Sequence, residues 1–130
     1  MLTEVCVGLG SNLGDRHENI LVGLRLMSGI SDSISVSGIY ETSPHGFGIQ
    51  PYFLNAACRF WTRLDPFELL NRVREIQSAV GVRTSVVNGP RALDIDILLS
   101  GSLVLDTPNL KIPHPRMHER RFVLAPLAEI

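Results

Sequence analysis

Residues 89–98 read GPRALDIDIL and predict a β-strand that carries two carboxylates on one of its faces. Side chains alternate between the two faces of a strand, so Asp94 and Asp96 point the same way. The apolar residues before, between and after them share the opposite face, where they can be buried in a core. This stretch therefore predicts a half-buried strand with an acidic face.

The acid pair indicates a cation site. Two neighbouring carboxylates repel each other and resist burial, and a cation between them removes that conflict. Hard oxygen ligands of this kind suit Mg²⁺, which usually keeps waters and also takes substrate phosphates. Arg91, three residues before Asp94, adds a forked donor that fits a phosphate group. On this segment alone, a magnesium and phosphate site and a solvated pair of surface acids both stay open.

Length, charge and cysteine usage bound the class of protein. The 130 residues suit a single domain, residues 1–130, with a core of ordinary size. A formal net charge of −1 argues against binding to nucleic acid or to a membrane surface. No apolar run reaches the roughly 20 residues of a membrane helix, and no signal peptide is visible. Cys6 and Cys58 are unclustered, which is typical of reduced thiols, so we expect a cytoplasmic protein.

Hydrophobic periodicity and capping signals predict the element order β-α-β-β-α-β. Strands are expected at residues 2–9, 34–42 and 53–61 and in the acid-bearing stretch, and helices at 15–28 and 65–80. A short strand at 103–105 and a final helix at 120–130, interrupted by Pro126, would form a C-terminal extension. The order is that of the ferredoxin-like α+β fold, an antiparallel βαββαβ sheet with two helices on one face.

Three further segments hold candidate residues. The glycines at residues 8–14 join a strand to a helix without a Walker A ending, so a tight turn is the better interpretation. His114 stands between two prolines and before several arginines, either as an exposed turn or as a cationic wall facing the acids. Phe53 and Asn55 share one strand face. Both could belong to the core. A buried Asn needs hydrogen-bond partners, however, so the pair could instead hold a flat heterocycle.

Six linked motifs resemble one known family. They are GSNLGD at residues 10–15, Tyr40-x-Thr42, PxFLNA at 51–56, GPRxLDID at 89–96, IPHPR at 112–116 and RxFVLxPL at 120–127. Their order and spacing are similar to those of 6-hydroxymethyl-7,8-dihydropterin pyrophosphokinase, and they cover nearly the whole chain. The resemblance implies a folate-pathway enzyme of ferredoxin-like fold. It would move the pyrophosphoryl group of ATP to the pterin hydroxymethyl oxygen and release AMP.

The resemblance also implies roles for individual residues. Asp94 and Asp96 would hold two Mg²⁺ ions that bridge the ATP phosphates and the attacking hydroxyl. The residues implied to contact ATP are Gln77, Arg91, His114 and Arg120. Those implied to contact the pterin are Thr42, His45, Phe53, Asn55 and Phe122, with the two phenylalanines stacked on its faces. We expect a monomer whose partners are these small-molecule substrates.

The segment at residues 81–90 departs from the family pattern. Relatives often carry Trp immediately before Gly-Pro-Arg, where this chain has Asn88, and usually have an arginine where it has Val82. Arg83 is then the cation on this loop, and we expect it to stabilise charge in the transition state. Without an aromatic seal, closure should be weaker and the reaction slower than in typical relatives. The alternative is a non-catalytic relative that binds ATP or pterin through a degenerate loop.

Overall fold

The computed structural model describes residues 2–42, 52–81, 92–115, 117 and 121–130, with the backbone alone at 121–123. The strands in these residues are β1 (Thr3–Ser11), β2 (Asp32–Val36), β3 (Tyr40–Thr42), β4 (Phe53–Thr62), β5 (Asp94–Ser100), β6 (Leu105–Asp106) and β7 (Lys111–Ile112). The helices are α1 (Arg16–Ser28), α2 (Pro66–Val80) and α3 (Arg121–Glu129). None of these helices has the length and apolar character that crossing a bilayer requires.

The main sheet has the strand order β2-β4-β1-β5, and β3 also pairs with β4. Each of these pairs is antiparallel, whereas β6 and β7 form a separate antiparallel ribbon. The predicted α+β class with an antiparallel sheet is therefore confirmed. Among the described strands, β1 and β4 lie in the centre of the sheet, and the acid-bearing strand β5 lies at its edge.

The core fills the space between one face of the sheet and the helices α1 and α2. Alternate residues of β1 and β5 meet buried residues of both helices there, as the period-two pattern predicts. The core residues of these elements are Val5, Val7, Leu9, Met27, Leu69, Val73, Ile76, Ile95 and Ile97. The intervening residues of β1 and β5, the two acids included, face the other side of the sheet.

Helix α3 lies across that other side. Phe60 of β4 is paired with core residue Val5, so the preceding Arg59 points to the opposite face. Arg59 donates from Nη1 to the backbone oxygen of Ile130, directly after α3, at 2.5 Å. The helix pair and α3 thus cover opposite faces of the sheet.

Helix α2 begins with the predicted capping box. The Asp65 side chain accepts hydrogen bonds from the backbone N–H groups of Phe67 and Glu68, each at 2.9 Å. The Glu68 side chain accepts in return from the Asp65 N–H at 3.1 Å, and Pro66 occupies the first turn. These contacts satisfy donors that a helix start otherwise leaves unpaired, which explains why this boundary was predictable from four residues.

The cap makes stability depend on pH in a defined direction. The backbone N–H of Glu68 is the main cause that lowers the pKa of Asp65, followed by the Glu68 side chain. A lowered folded-state pKa gives stability that is complete above the unfolded pKa and is lost as pH falls through the folded one. In urea unfolding, wild type should therefore have a higher free energy of unfolding than Asp65→Ala at neutral pH. This difference should shrink as the pH is lowered.

Asp65→Asn is the matched control, because Asn caps about as well as Asp but does not titrate. The difference in free energy of unfolding between Asp65→Asn and Asp65→Ala should be independent of pH. An Asp-to-Ala difference in urea midpoint that stays constant into strong acid would contradict the role of the charged cap.

Three predicted elements differ from those observed. The short strand expected at 103–105 overlaps the observed β6 only at Leu105. The strand expected at 34–42 is divided into β2 and β3, which both pair with β4. Ser37 causes the break, since its hydroxyl accepts the Ala57 N–H at 2.9 Å in place of a ladder carbonyl. The final helix runs through Pro126 to Glu129 instead of being interrupted. Pro126 is fully buried. The free energy gained by burying its ring offsets the cost of the helical hydrogen bond that proline cannot donate.

Candidate active site

The predicted acid pair lies on the sheet face opposite the helix pair. Asp94 is the backbone partner of Gly10 on β1, and Asp96 is the partner of Gly8. Both carboxylate residues are half-buried, whereas Ile95 between them is only 5% exposed on the other face. The alternation predicted from the sequence is therefore confirmed, and each acid lies opposite a residue without a side chain.

The same face carries the predicted aromatic and amide residues of β4. Gly10 pairs with Asn55 on its other side, so Asp94, Gly10 and Asn55 occupy one row across three strands. Strands lie about 4.8 Å apart, which places the Asp94 and Asn55 backbones roughly 10 Å apart. Phe53 lies two residues before Asn55 on this face, and Thr42 is its partner on β3.

Asn55 is held in place by Thr42. Its side chain is buried, with 4% exposed, and Nδ2 donates to the Thr42 Oγ1 at 2.7 Å. The bond uses one donor of the amide and orients its Oδ1 oxygen. The structure therefore brings together Thr42, Phe53 and Asn55. The latter two lie on β4, next to β1, whose other neighbour is the acid-bearing strand β5.

Gly10 was missed as a site residue, because the glycines at 8–14 were interpreted only as a turn. A Cβ at Gly10 would lie 3.2 Å from the Asn55 Oδ1 and 3.5 Å from the Phe53 Cδ1. Because Gly10 has no side chain, the sheet surface between Asp94 and Asn55 carries no side chain at this position. No local signal identifies this role, because it depends on which strands are neighbours.

Arg16 is a second residue that the sequence analysis did not find. Its Nη1 donates to the Glu41 Oε2 at 3.0 Å and to the Tyr52 backbone oxygen at 2.7 Å. These two acceptors directly precede Thr42 and Phe53 in the chain. The first residue of α1 thus ties together the end of β3 and the start of β4.

Gln77 and His114 both contact the outer edge of β5. The Gln77 Oε1 accepts a hydrogen bond from the Ile95 N–H at 2.8 Å. The His114 N–H donates to the Leu98 backbone oxygen at 3.0 Å, two residues beyond Asp96, and His114 is half-buried. Both residues predicted to contact ATP therefore lie along the strand that carries the acids.

Helix α3 is anchored to the acid-bearing face. The Glu129 Oε2 accepts hydrogen bonds from the Tyr40 hydroxyl at 2.7 Å and from the Gly38 N–H at 3.0 Å. The bond to Glu129 raises the pKa of Tyr40, because the carboxylate stabilises the protonated phenol. Since Tyr40 pairs with Asn55, this anchor lies on the strand next to the buried amide.

Several predicted site residues fall outside the described residues. They are His45, Arg83, Arg91 and Arg120, together with Val82 and Asn88 of the divergent segment. The side chain of Phe122 also lies outside the description, although its backbone belongs to α3. The roles assigned to these residues stay predictions.

The donor set on β5 fits a hard divalent cation. Among the described residues, no cluster of three or more His, Cys, Asp or Glu is present, and the two carboxylates are the donors that a cation would meet. Mg²⁺ is commonly held by one or two carboxylates, with waters and substrate phosphates completing its octahedron.

The family follows from comparison with known proteins. The family model described as 7,8-dihydro-6-hydroxymethylpterin-pyrophosphokinase matches residues 6–130. The chain belongs to this family. Among its relatives is the 2-amino-4-hydroxy-6-hydroxymethyldihydropteridine pyrophosphokinase of Bacillus subtilis. That protein is 45% identical over 126 residues, which cover 95% of this chain and 75% of the relative.

Two more relatives show different overall lengths. The pyrophosphokinase of the same description from Pseudomonas aeruginosa is 39% identical over 132 residues, covering 100% of this chain and 82% of the relative. A mitochondrial folate synthesis bifunctional protein from Arabidopsis thaliana is 44% identical over 128 residues. That match covers 98% of this chain but 23% of the bifunctional protein, so the chain corresponds to one part of it.

Proposed function

We propose that this chain transfers the pyrophosphoryl group of ATP to the hydroxymethyl group of 6-hydroxymethyl-7,8-dihydropterin, a step of folate biosynthesis. The hydroxymethyl oxygen attacks the β-phosphorus of ATP. The bond from that phosphorus to the oxygen bridging the α-phosphate breaks, AMP leaves, and the hydroxyl proton passes to solvent. The chain is an enzyme of its family's class, an ATP-dependent diphosphotransferase.

The observation that carries the proposal is the row formed by Asp94, Gly10 and Asn55. It offers the Asp94 carboxylate for a cation at one end and the Asn55 amide for a heterocycle at the other, with no side chain on Gly10 between them. Two Mg²⁺ ions held by Asp94 and Asp96 would neutralise phosphate charge and align the attacking and leaving oxygens. Such a transfer depends mainly on positioning and charge neutralisation, which these residues can supply without a covalent nucleophile.

ATP is proposed to bind along the outer edge of β5. His114 supports this placement, because its backbone is bonded to Leu98 beside the acid strand. In the proposal Arg91, Arg120 and His114 bind the phosphates. Arg83 adds charge in the closed state and Gln77 lies at the nucleotide side.

The pterin is proposed to lie over β4. Phe53 would stack on one ring face and Phe122 on the other, each such contact worth about 1 kcal/mol beyond burial. Asn55 and Thr42 would read the polar edge of the ring together with His45. The support is the bond between Asn55 and Thr42, which orients the amide before any ligand arrives.

The finer assignments of fold and setting are also proposals. The order β2-β4-β1-β5 with the helix pair on one face supports the ferredoxin-like arrangement, with α3 as its C-terminal extension. Residues 1–130 would form one domain that acts as a monomer and binds neither nucleic acid nor membrane. Burial raises the pKa of the Cys58 thiol to about 12, and an unreactive, unpaired thiol suits a reducing cytoplasm.

Pterin-dependent release of AMP tests the proposed function. The purified chain should form AMP from ATP only when both the hydroxymethyldihydropterin and Mg²⁺ are present, with the pterin diphosphate in equal amount. Binding of ATP and pterin without AMP formation would instead identify a non-catalytic relative. Calorimetry with each ligand alone separates these two outcomes.

Gly10→Ala should weaken pterin binding while leaving ATP binding nearly unchanged. The new methyl group would press on the Asn55 amide at 3.2 Å, and the bond to Thr42 limits how far that amide can move. We expect about a tenfold higher dissociation constant for the pterin, the effect of disturbing one buried polar contact. Calorimetry in the presence of a non-hydrolysable ATP analogue measures it.

Gly8→Ala is the matched control on the same face of the same strand. Its methyl group would meet the Leu98 Cδ1 at 3.6 Å, an ordinary contact, and would not reach Asn55. Both variants lose backbone freedom in the unfolded chain to the same extent. Equal losses of pterin affinity in the two variants would overturn the role given to Gly10.

A further inference from the structure

The acid-bearing strand β5 is supported unevenly. Among the described strands of the main sheet it pairs with β1 alone, so its other edge depends on further contacts. Gln77 supplies one, because its Oε1 accepts the Ile95 N–H at 2.8 Å. That N–H belongs to the peptide that joins Ile95 to Asp94, so one side chain holds the backbone between the two carboxylates.

Gln77 is itself held firmly in α2. Val73 and Ile76, on the same stretch of the helix, are buried in the core, with 1% and 7% exposed. The Gln77 backbone oxygen accepts the Gly81 N–H at 3.0 Å, which closes the last turn. The half-buried Gln77 side chain therefore fixes the position of β5 relative to α2.

We propose that Gln77 is a positioning residue that sets the separation and orientation of Asp94 and Asp96. Ile95 is buried, so its N–H without an acceptor would draw in water or pull the strand out of register. A metal site tolerates displacements of only about 0.5 Å before its geometry is lost. The metal role rests on the proposed function, whereas the hydrogen bond can be tested without it.

This role differs from that of a simple ATP contact. A residue that only touched ATP would alter nucleotide affinity and leave the free protein unchanged. The Gln77 Oε1 is engaged with Ile95, so removing the acceptor should change the strand before any ligand binds. The two roles therefore predict different results in the ligand-free protein.

Three variants separate the roles. Gln77→Met keeps the length of the side chain but removes the acceptor, and Gln77→Glu keeps an acceptor at the same reach. Asn71→Leu, at an exposed position of the same helix, controls for loss of an amide group. If Gln77→Met proves unstable in urea, Gln77→Asn replaces it, because its amide is one carbon–carbon bond shorter and cannot reach Ile95 in the same way.

The first measurement is amide hydrogen exchange by NMR in the ligand-free protein. In Gln77→Met the Ile95 amide should exchange about tenfold faster relative to amides of β1, as expected for a lost hydrogen bond. Gln77→Glu and Asn71→Leu should keep the protection of wild type. This readout is independent of catalysis and stays valid if the proposed function fails.

The second measurement is Mn²⁺ binding, followed by electron paramagnetic resonance, in the complex with a non-hydrolysable ATP analogue. Gln77→Met should bind Mn²⁺ about five- to tenfold more weakly and turn over more slowly, with unchanged analogue affinity in the absence of divalent cations. Unchanged Ile95 exchange, or weaker metal-free analogue binding with normal Mn²⁺ affinity, would overturn the proposal. Absence of AMP formation by wild type would instead count against the proposed function.

Discussion

Replacement of Asp94 or Asp96 by Ala is expected to lower the single-turnover rate of AMP formation by about 10³-fold or more. Each variant removes one of the two carboxylates that the cations would share, so each cation would lose a ligand. Because both residues are half-buried on an edge strand, neither substitution removes core packing. The fold should therefore survive, as circular dichroism and urea unfolding can verify.

The exposed Asp106 offers a matched control. Its side chain is 83% exposed and lies 3.5 Å from the Lys111 ammonium on the small β6-β7 ribbon. Asp106→Ala removes the same charge, and AMP formation should remain near that of wild type. Turnover close to wild type in either Asp94→Ala or Asp96→Ala would exclude the acid pair as the metal site.

Asn55→Ala is expected to lower kcat/KM for the pterin by about 10²-fold, with little change in ATP analogue affinity. A buried amide that reads a polar ring edge cannot be replaced by water or methyl without leaving polar groups unpaired. The variant also removes the hydrogen bond that the Asn55 amide donates to the Thr42 hydroxyl oxygen on β3. Steady-state kinetics at saturating ATP, combined with calorimetry, measure the two effects.

Thr62→Val at the far end of β4 controls for the loss of a buried polar group. Thr62 is 3% exposed, and its hydroxyl donates to the Ile30 backbone oxygen and accepts the Leu64 N–H. Thr62→Val should reduce stability without changing kcat/KM for the pterin. A similar kinetic loss in both variants would show that Asn55 acts through stability and not through the substrate.

Local features of the chain were predictable from the sequence by itself. The shared face of Asp94 and Asp96 follows from the two-residue period of a strand, which holds in any fold. The start of α2 follows from Asp65 and Glu68, whose contacts span only three residues. The linked motifs also indicated the family, because they fix residue types along nearly the whole chain.

The division of residues 34–42 into two strands was not predictable in this way. The segment alternates as a single strand would, and Ser37 looks like any other polar position in it. Its hydroxyl interrupts the ladder only because Ala57 lies opposite on β4. The break is therefore a property of the strand pairing and not of the segment.

The construction of the site was decided by the tertiary structure alone. The sheet places Gly10 between Asp94 and Asn55, and helix α2 brings Gln77 to Ile95, and the roles proposed for both residues depend on these positions. The physical reason is that periodicity and capping act over a few residues, whereas strand order, register and helix packing join distant segments. The sequence determined which residues could do the chemistry, and the packing of sheet and helices decided which of them meet.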